Sequence, residues 1–146
     1  MLSVENINQV FFDAGVPTEF DFLCIDVDGP DYYLWEALTE YSPSVVMVEY
    51  NSSILPNQLY VAPQNLAVEL SSSAKEGAGL LSFCKLGERK GYTPIYTDLS
   101  GSNLFFIHNR HKHLFNTEGL TIEALYQPAQ FGELCSGSAP NGRGYA

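Results

Sequence analysis

A chain of 146 residues amounts to one domain on the usual scale of ~100–200 residues each, and its 45% hydrophobic against 16% charged residues exclude disorder over most of its length. Seven Lys and Arg against 17 Asp and Glu leave a formal charge of −10, a field that repels phosphate backbones and anionic lipid and so excludes nucleic acid and membrane surfaces as partners. No run approaches the ~18 consecutive apolar residues of a spanning helix, and the N-terminus lacks a basic, then apolar, leader. The three cysteines, Cys24, Cys84 and Cys135, are odd in number and widely spaced. Cys24 and Cys84 sit within apolar segments, which fits reduced core thiols and a cytoplasmic location.

Residues 3–14 read as a helix with Ser3 as cap, Glu5 in the first turn and Val4, Ile7, Phe11 and Ala14 on one apolar face; Gly15 and Pro17 end it. Residues 20–26 form a strand whose nearly continuous apolar end predicts burial on both faces, the mark of a parallel sheet. Gly29-Pro30 opens a second helix that stops at Ser42-Pro43, and residues 44–50 give a second buried strand. Residues 51–73, with Pro56 and Pro63 and no strong period, read as a long connection, and such loops are often functional. A third helix is expected over 74–90, where Gly77, Gly79 and Gly87 weaken propensity but permit close packing on a sheet. Strands at 92–98 and 103–108 make a hairpin, a short helix follows near 121–126, and residues 136–146 have the composition of a flexible tail.

Helices alternating with strands predict a single α/β domain over 1–135, with no internal repeat: a three-layer, Rossmann-like partial sheet, mostly parallel, ending in an antiparallel hairpin. In such sheets ligands sit at the C-terminal ends of the parallel strands. Those ends carry Asp26, Asp28, Glu49, Asn51 and Asp98. Carboxylates on neighbouring strand ends can share one hard divalent cation, so Asp26, Asp28, Glu49 and Asn51 form a candidate weak metal site. The competing structural reading makes Asp28 a helix cap, sets Asp31 at that helix's positive end and holds Glu49 by a buried hydrogen bond. Tyr32, Tyr33 and Trp35 are candidate pocket walls beside Asp28, or equally core or interface aromatics. His108, His111 and His113 have ligand-like spacing, but the flanking Arg110 and Lys112 favour a solvated turn.

Asp26-Val-Asp-Gly29 after an apolar strand resembles the opening motif of haloacid-dehalogenase-type phosphatases, which would make Asp26 the nucleophile and Asp28 the general acid. Pro30 departs from that pattern, and no later strand ends in paired aspartates. A longer resemblance runs through residues 3–108. Ile25-Asp-Val-Asp-Gly-Pro-Asp-Tyr-Tyr-Leu-Trp-Glu-Ala-Leu38, then Pro43-Ser-Val-Val-Met-Val-Glu-Tyr-Asn51, resembles the second half of FkbM-type, S-adenosylmethionine-dependent methyltransferases. Gly77–Tyr92 is similar to that family's helix before its terminal hairpin, and Ser102–Ile107 to the hairpin's last strand. The resemblance implies O-methyl transfer. Asp26, Asp28 and Glu49 would act at the reacting centre, Asp26 and Gly29 would face the cofactor, and Asn51, Tyr32 and Trp35 would line the substrate pocket.

The family's fold begins with a strand, a glycine-rich loop and a ribose-holding acid, and none of these is legible before residue 20. The expectation is therefore half of the fold, truncated, inactive alone and binding S-adenosylmethionine weakly or not at all. With the family's first strand absent, strand 20–26 becomes an edge, which predicts a homodimer through it. A non-catalytic, oligomerising α/β module is the alternative reading.

Overall fold

The computed structural model describes residues 2–64 and 76–130. In chain order these form α1 (Ile7–Asp13), β1 (Phe22–Ile25), α2 (Asp31–Ala37), β2 (Val45–Glu49), α3 (Leu80–Arg89), β3 (Tyr92–Thr97), β4 (Asn103–His108), a 3₁₀ segment (Asn109–Leu114) and α4 (Ile122–Leu125). The expected tail, Cys135 and the latter part of the long connection lie outside the described residues. No helix among the described residues is long and apolar enough to cross a membrane.

The strands form one open sheet in the order β1-β2-β4-β3. β1 and β2 run parallel, joined by the crossover through α2, with Ile25 beside Val48. β4 turns back from β3 and inserts between β2 and β3, antiparallel to both. The sheet is therefore mixed, and two of its three ladders are antiparallel, which corrects the mostly parallel expectation. The tight turn fixes β4 antiparallel to β3, and because β3 runs in the same direction as β2, β4 is antiparallel to β2 as well. Pro94 lies on the edge strand β3, beside a register shift, where a missing N–H breaks no interior ladder.

One face of the sheet is sealed. Leu23, Ile25, Val46, Val48, Leu104 and Phe106 are buried there, in the same cluster as Ile7, Leu34, Trp35, Leu80, Phe83, Leu86 and Leu125 from the helices. Trp35 is the hub, its ring centroid 4.7 Å from that of Phe106, 5.7 Å from Tyr92 and 6.4 Å from Phe83. The Tyr92 hydroxyl finds its partner in the Pro43 carbonyl at 2.8 Å, so this aromatic core leaves no orphaned polar group. Gly87 fits against Phe106 and Trp35, as the packing role read from the sequence requires.

The opposite face is largely open, although Ile107 on it is buried. Phe22 and Tyr96 are both 51% exposed there, and Val45, Met47 and Phe105 are half-buried. β1 alternates exposed and buried residues, so the expected burial on both faces, and with it the third layer, is not found among the described residues. The cause is that the described helices contribute to a single core on one side. Cys24 falls on the exposed side of β1, which corrects its reading as a core thiol; Cys84 is buried.

Candidate functional site

Because β1 and β2 are adjacent and parallel in register, their C-terminal ends emerge at one edge of the sheet. Asp26 leaves β1 there and Glu49 closes β2. The chain then turns sharply, with Asp28 at φ 53° and Gly29 at φ 127°. A left-handed conformation at a non-glycine residue is tolerated best by Asp and Asn. The turn brings one carboxylate oxygen from each of Asp26, Asp28 and Glu49 within 4.8 Å of one another. Asp26 and Asp28 are exposed and Glu49 is half-buried.

Asp31 holds this turn. It is only 2% exposed, and its carboxylate accepts from the Gly29 N–H at 3.1 Å and the Val27 N–H at 3.3 Å. Burial pushes its carboxyl above the ordinary carboxylate range, against the opposing pull of those backbone donors. The anchoring role read onto Asp28 thus belongs to Asp31, at the first position of α2. The sequence signal was Asp-Gly-Pro-Asp, in which an acceptor follows the glycine by two residues.

The other expected site residues are used elsewhere. Asn51 clamps the loop after β2: its Nδ2 donates to the Glu76 carbonyl at 2.8 Å, and its Oδ1 accepts from Ser53 N at 2.9 Å and Ser53 Oγ at 2.6 Å. Trp35, 1% exposed, belongs to the core and not to a pocket wall. Tyr32 bridges α2 to α3, its ring 5.6 Å from Phe83 and its hydroxyl accepting from Arg89 at 3.1 Å. Tyr33 donates to the Ala62 carbonyl. Asp98 caps the hairpin loop. Partial burial opposes its charge, but donors from Ser100, Ser102 and Asn103 prevail and hold its carboxyl below the usual range.

The histidines do not converge on a metal; among the described residues the only candidate ligand group is Asp26, Asp28 and Glu49. His108 Nδ1 accepts from the Arg110 N–H, and His111 Nε2 lies 3.0 Å from Arg110 Nε and 3.3 Å from Ser44 Oγ. A guanidinium among imidazoles repels a second cation. Sequence reasoning missed this Arg110 hub, which also reaches Glu19 and the Ser42 carbonyl. Partial burial, with Asp26 and Asp31 nearby, pushes the Cys24 thiol up and keeps it protonated.

Chemically, the strand-end cluster offers hard oxygen atoms, suited to a divalent cation or to taking a proton from a hydroxyl. For S-adenosylmethionine the fit is one-sided. Gly29 leaves open space where a Cβ would stand, which permits close approach. The free edge of β1 has no neighbouring described strand to carry a glycine-rich cofactor loop or a ribose acceptor. Neither the protein-family models, nor the curated proteins, nor the solved structures with which the chain was compared match it.

Proposed function

We propose that this chain is a methyltransferase-like α/β unit corresponding to the C-terminal half of an FkbM-type, S-adenosylmethionine-dependent O-methyltransferase, inactive by itself. The observation that carries the reading is the element order. A parallel pair linked by α2 ends in acids at one shared edge, and α3 then leads to a hairpin whose last strand lies beside β2. In this reading the β1 edge and the open sheet face await the remaining strands and the third layer of the fold. Asp26 and Gly29 face the cofactor side, while Asp28 and Glu49 take the proton of an acceptor hydroxyl.

Calorimetry with S-adenosylmethionine tests the half-site. Binding weaker than a dissociation constant of ~10 μM, about −7 kcal/mol, is expected. Tighter binding would show a complete site and overturn the reading. The same reading gives the acids a weakly held divalent cation, so manganese should broaden resonances of residues 26–29 and 49 selectively. Broadening at 108–113 instead, or none, would leave these acids without a metal. Hydrolysis of an aryl phosphate that is lost in Asp26→Asn would replace the methyltransferase reading with a phosphatase.

A second reading, a self-associating module, is favoured by one observation. β1 is an edge strand with Phe22 half-exposed and Cys24 exposed, a surface open to pairing with a second copy.

A further inference from the structure

The seven basic residues of this acidic chain are unevenly used. Among the described ones, Arg89 pairs with Glu36, Lys90 donates to the Leu38 carbonyl, and Arg110 pairs with Glu19. Among these, the Lys85 and Lys112 ammonium groups alone make no hydrogen bond or ion pair, and both residues line the same cleft of about 490 Å³. That volume falls within the ~300–1,000 Å³ typical of small-molecule sites. The cleft lies between α3, the start of β3, the 3₁₀ segment and α4. Tyr92 pairs with His108 at this end of the sheet, whereas Glu49 pairs with Asn103 at the other, so the cleft is remote from the strand-end acids.

Its construction is two-sided. Leu81, Cys84, Pro94 and Ile122 give it apolar walls, with Leu81, Cys84, Lys85 and Glu88 following one another at helical spacing along α3. Its rim is rich in donors. Thr93 Oγ1 donates to Asn109 Oδ1 at 2.7 Å, which engages the amide oxygen and leaves Nδ2 as the donor Asn109 can offer a ligand. With the two ammonium groups, that makes three donors against the single carboxylate of Glu88.

We infer that this cleft binds a small amphipathic organic anion, with a monoanionic carboxylate head at Lys85, Lys112 and Asn109 and an aliphatic or aromatic body on the apolar walls. Two ammonium groups against one carboxylate leave one net positive charge, which matches a monoanion better than a phosphate dianion. The apolar walls disfavour a purely ionic ligand and supply binding through buried area.

Titration of the full chain with octanoate, followed by amide chemical shifts, tests this. Shifts should localise to residues 81–88, 93–94, 109–112 and 122. Lys85→Ala with Lys112→Ala should weaken octanoate binding about tenfold or more, the loss of two charge-assisted contacts. Asn57→Asp, a unit charge change at an exposed loop residue outside the cleft lining, should not. Both lysines are exposed, so the double variant should keep the wild-type spectrum outside the cleft. Equal binding of 1-octanol, equal binding of inorganic phosphate, unchanged affinity in the double variant, or no localised shifts at millimolar octanoate would each overturn the inference.

Discussion

Gly87 of α3 stands over Phe106 of β4 with no room for a methyl group. A Cβ at Gly87 would lie 2.6 Å from Phe106 Cε1 and 3.2 Å from Trp35 Cη2. The Phe106 and Trp35 rings are at most 1% exposed, so neither can step aside. Glycine in mid-helix costs about 1 kcal/mol relative to alanine, yet overpacking a dense core costs about 1–3 kcal/mol. Gly87→Ala should therefore lower stability by up to about 2 kcal/mol despite its better helix propensity. Urea unfolding should show a lower midpoint with an unchanged slope; a rise would mean the helix can move outward.

Removing Asp31 should loosen the acidic turn. Its carboxylate is the acceptor for the N–H groups of Val27 and Gly29, and Asp31→Ala leaves both without it. The expected cost is about 1–3 kcal/mol. Amide exchange at 27–29 should accelerate more than across β2. Uniform acceleration would mean that Asp31 supports the whole fold and not the turn.

Acid should weaken the protein through His108. Partial burial first, then Arg110 and His111, hold its imidazole below the ordinary histidine value of 6.5. The folded state thus binds its proton less readily than the unfolded chain. Stability from this group is complete above about pH 6.5 and declines as pH falls through that value toward the folded-state pKa. Protonation at Nδ1 would also cost the bond from the Arg110 N–H. Stability measured between pH 7.5 and 5.5 should fall, and His108→Gln should flatten the slope.

Self-association through β1 should respond to salt. Each protomer carries −10, so screening must precede close approach. The dimer fraction should rise as the Debye length shrinks from ~10 Å at 0.1 M to ~3 Å at 1 M ionic strength. Phe22→Lys should reduce it by adding an edge charge where Phe22 is now exposed. Light scattering would show this, and a monomer at every salt concentration, with fast amide exchange along 22–25, would remove the self-associating reading.

Elements with strong patterns were legible in the residues. The apolar runs at 22–25 and 45–49, the Gly29-Pro30 helix start and the hairpin all lie where periodicity and turn chemistry put them. Burial on the second sheet face was not legible, because Val45, Met47 and Phe105 look the same in sequence whether covered or open. The convergence of Asp26, Asp28 and Glu49 followed from parallel strand ends, whereas Asn51 did not join them. An amide at a strand end serves a ligand or a loop equally well, and here Ser53 and Glu76 claim it. The 3₁₀ segment has no apolar period to announce it; it is organised by Arg110, which besides its local imidazoles reaches partners 66–91 residues away in sequence.

The strand order has a consequence for how the chain is made. β4, the last of the described strands to leave a ribosome, is the one that joins β2 to β3. Until residue 108 has emerged, β2 presents a bare edge and Trp35 lacks its Phe106 neighbour. Until the hairpin closes, no strand ladder joins the parallel β1–β2 pair to the α3–β3 unit, and contacts such as Trp35 on Phe83 and Tyr92 must hold them together. Zipping in that strand is a late, long-range event, the kind that slows folding and leaves sticky edges waiting. Nascent chains halted before β4 should therefore be the species that chaperones capture.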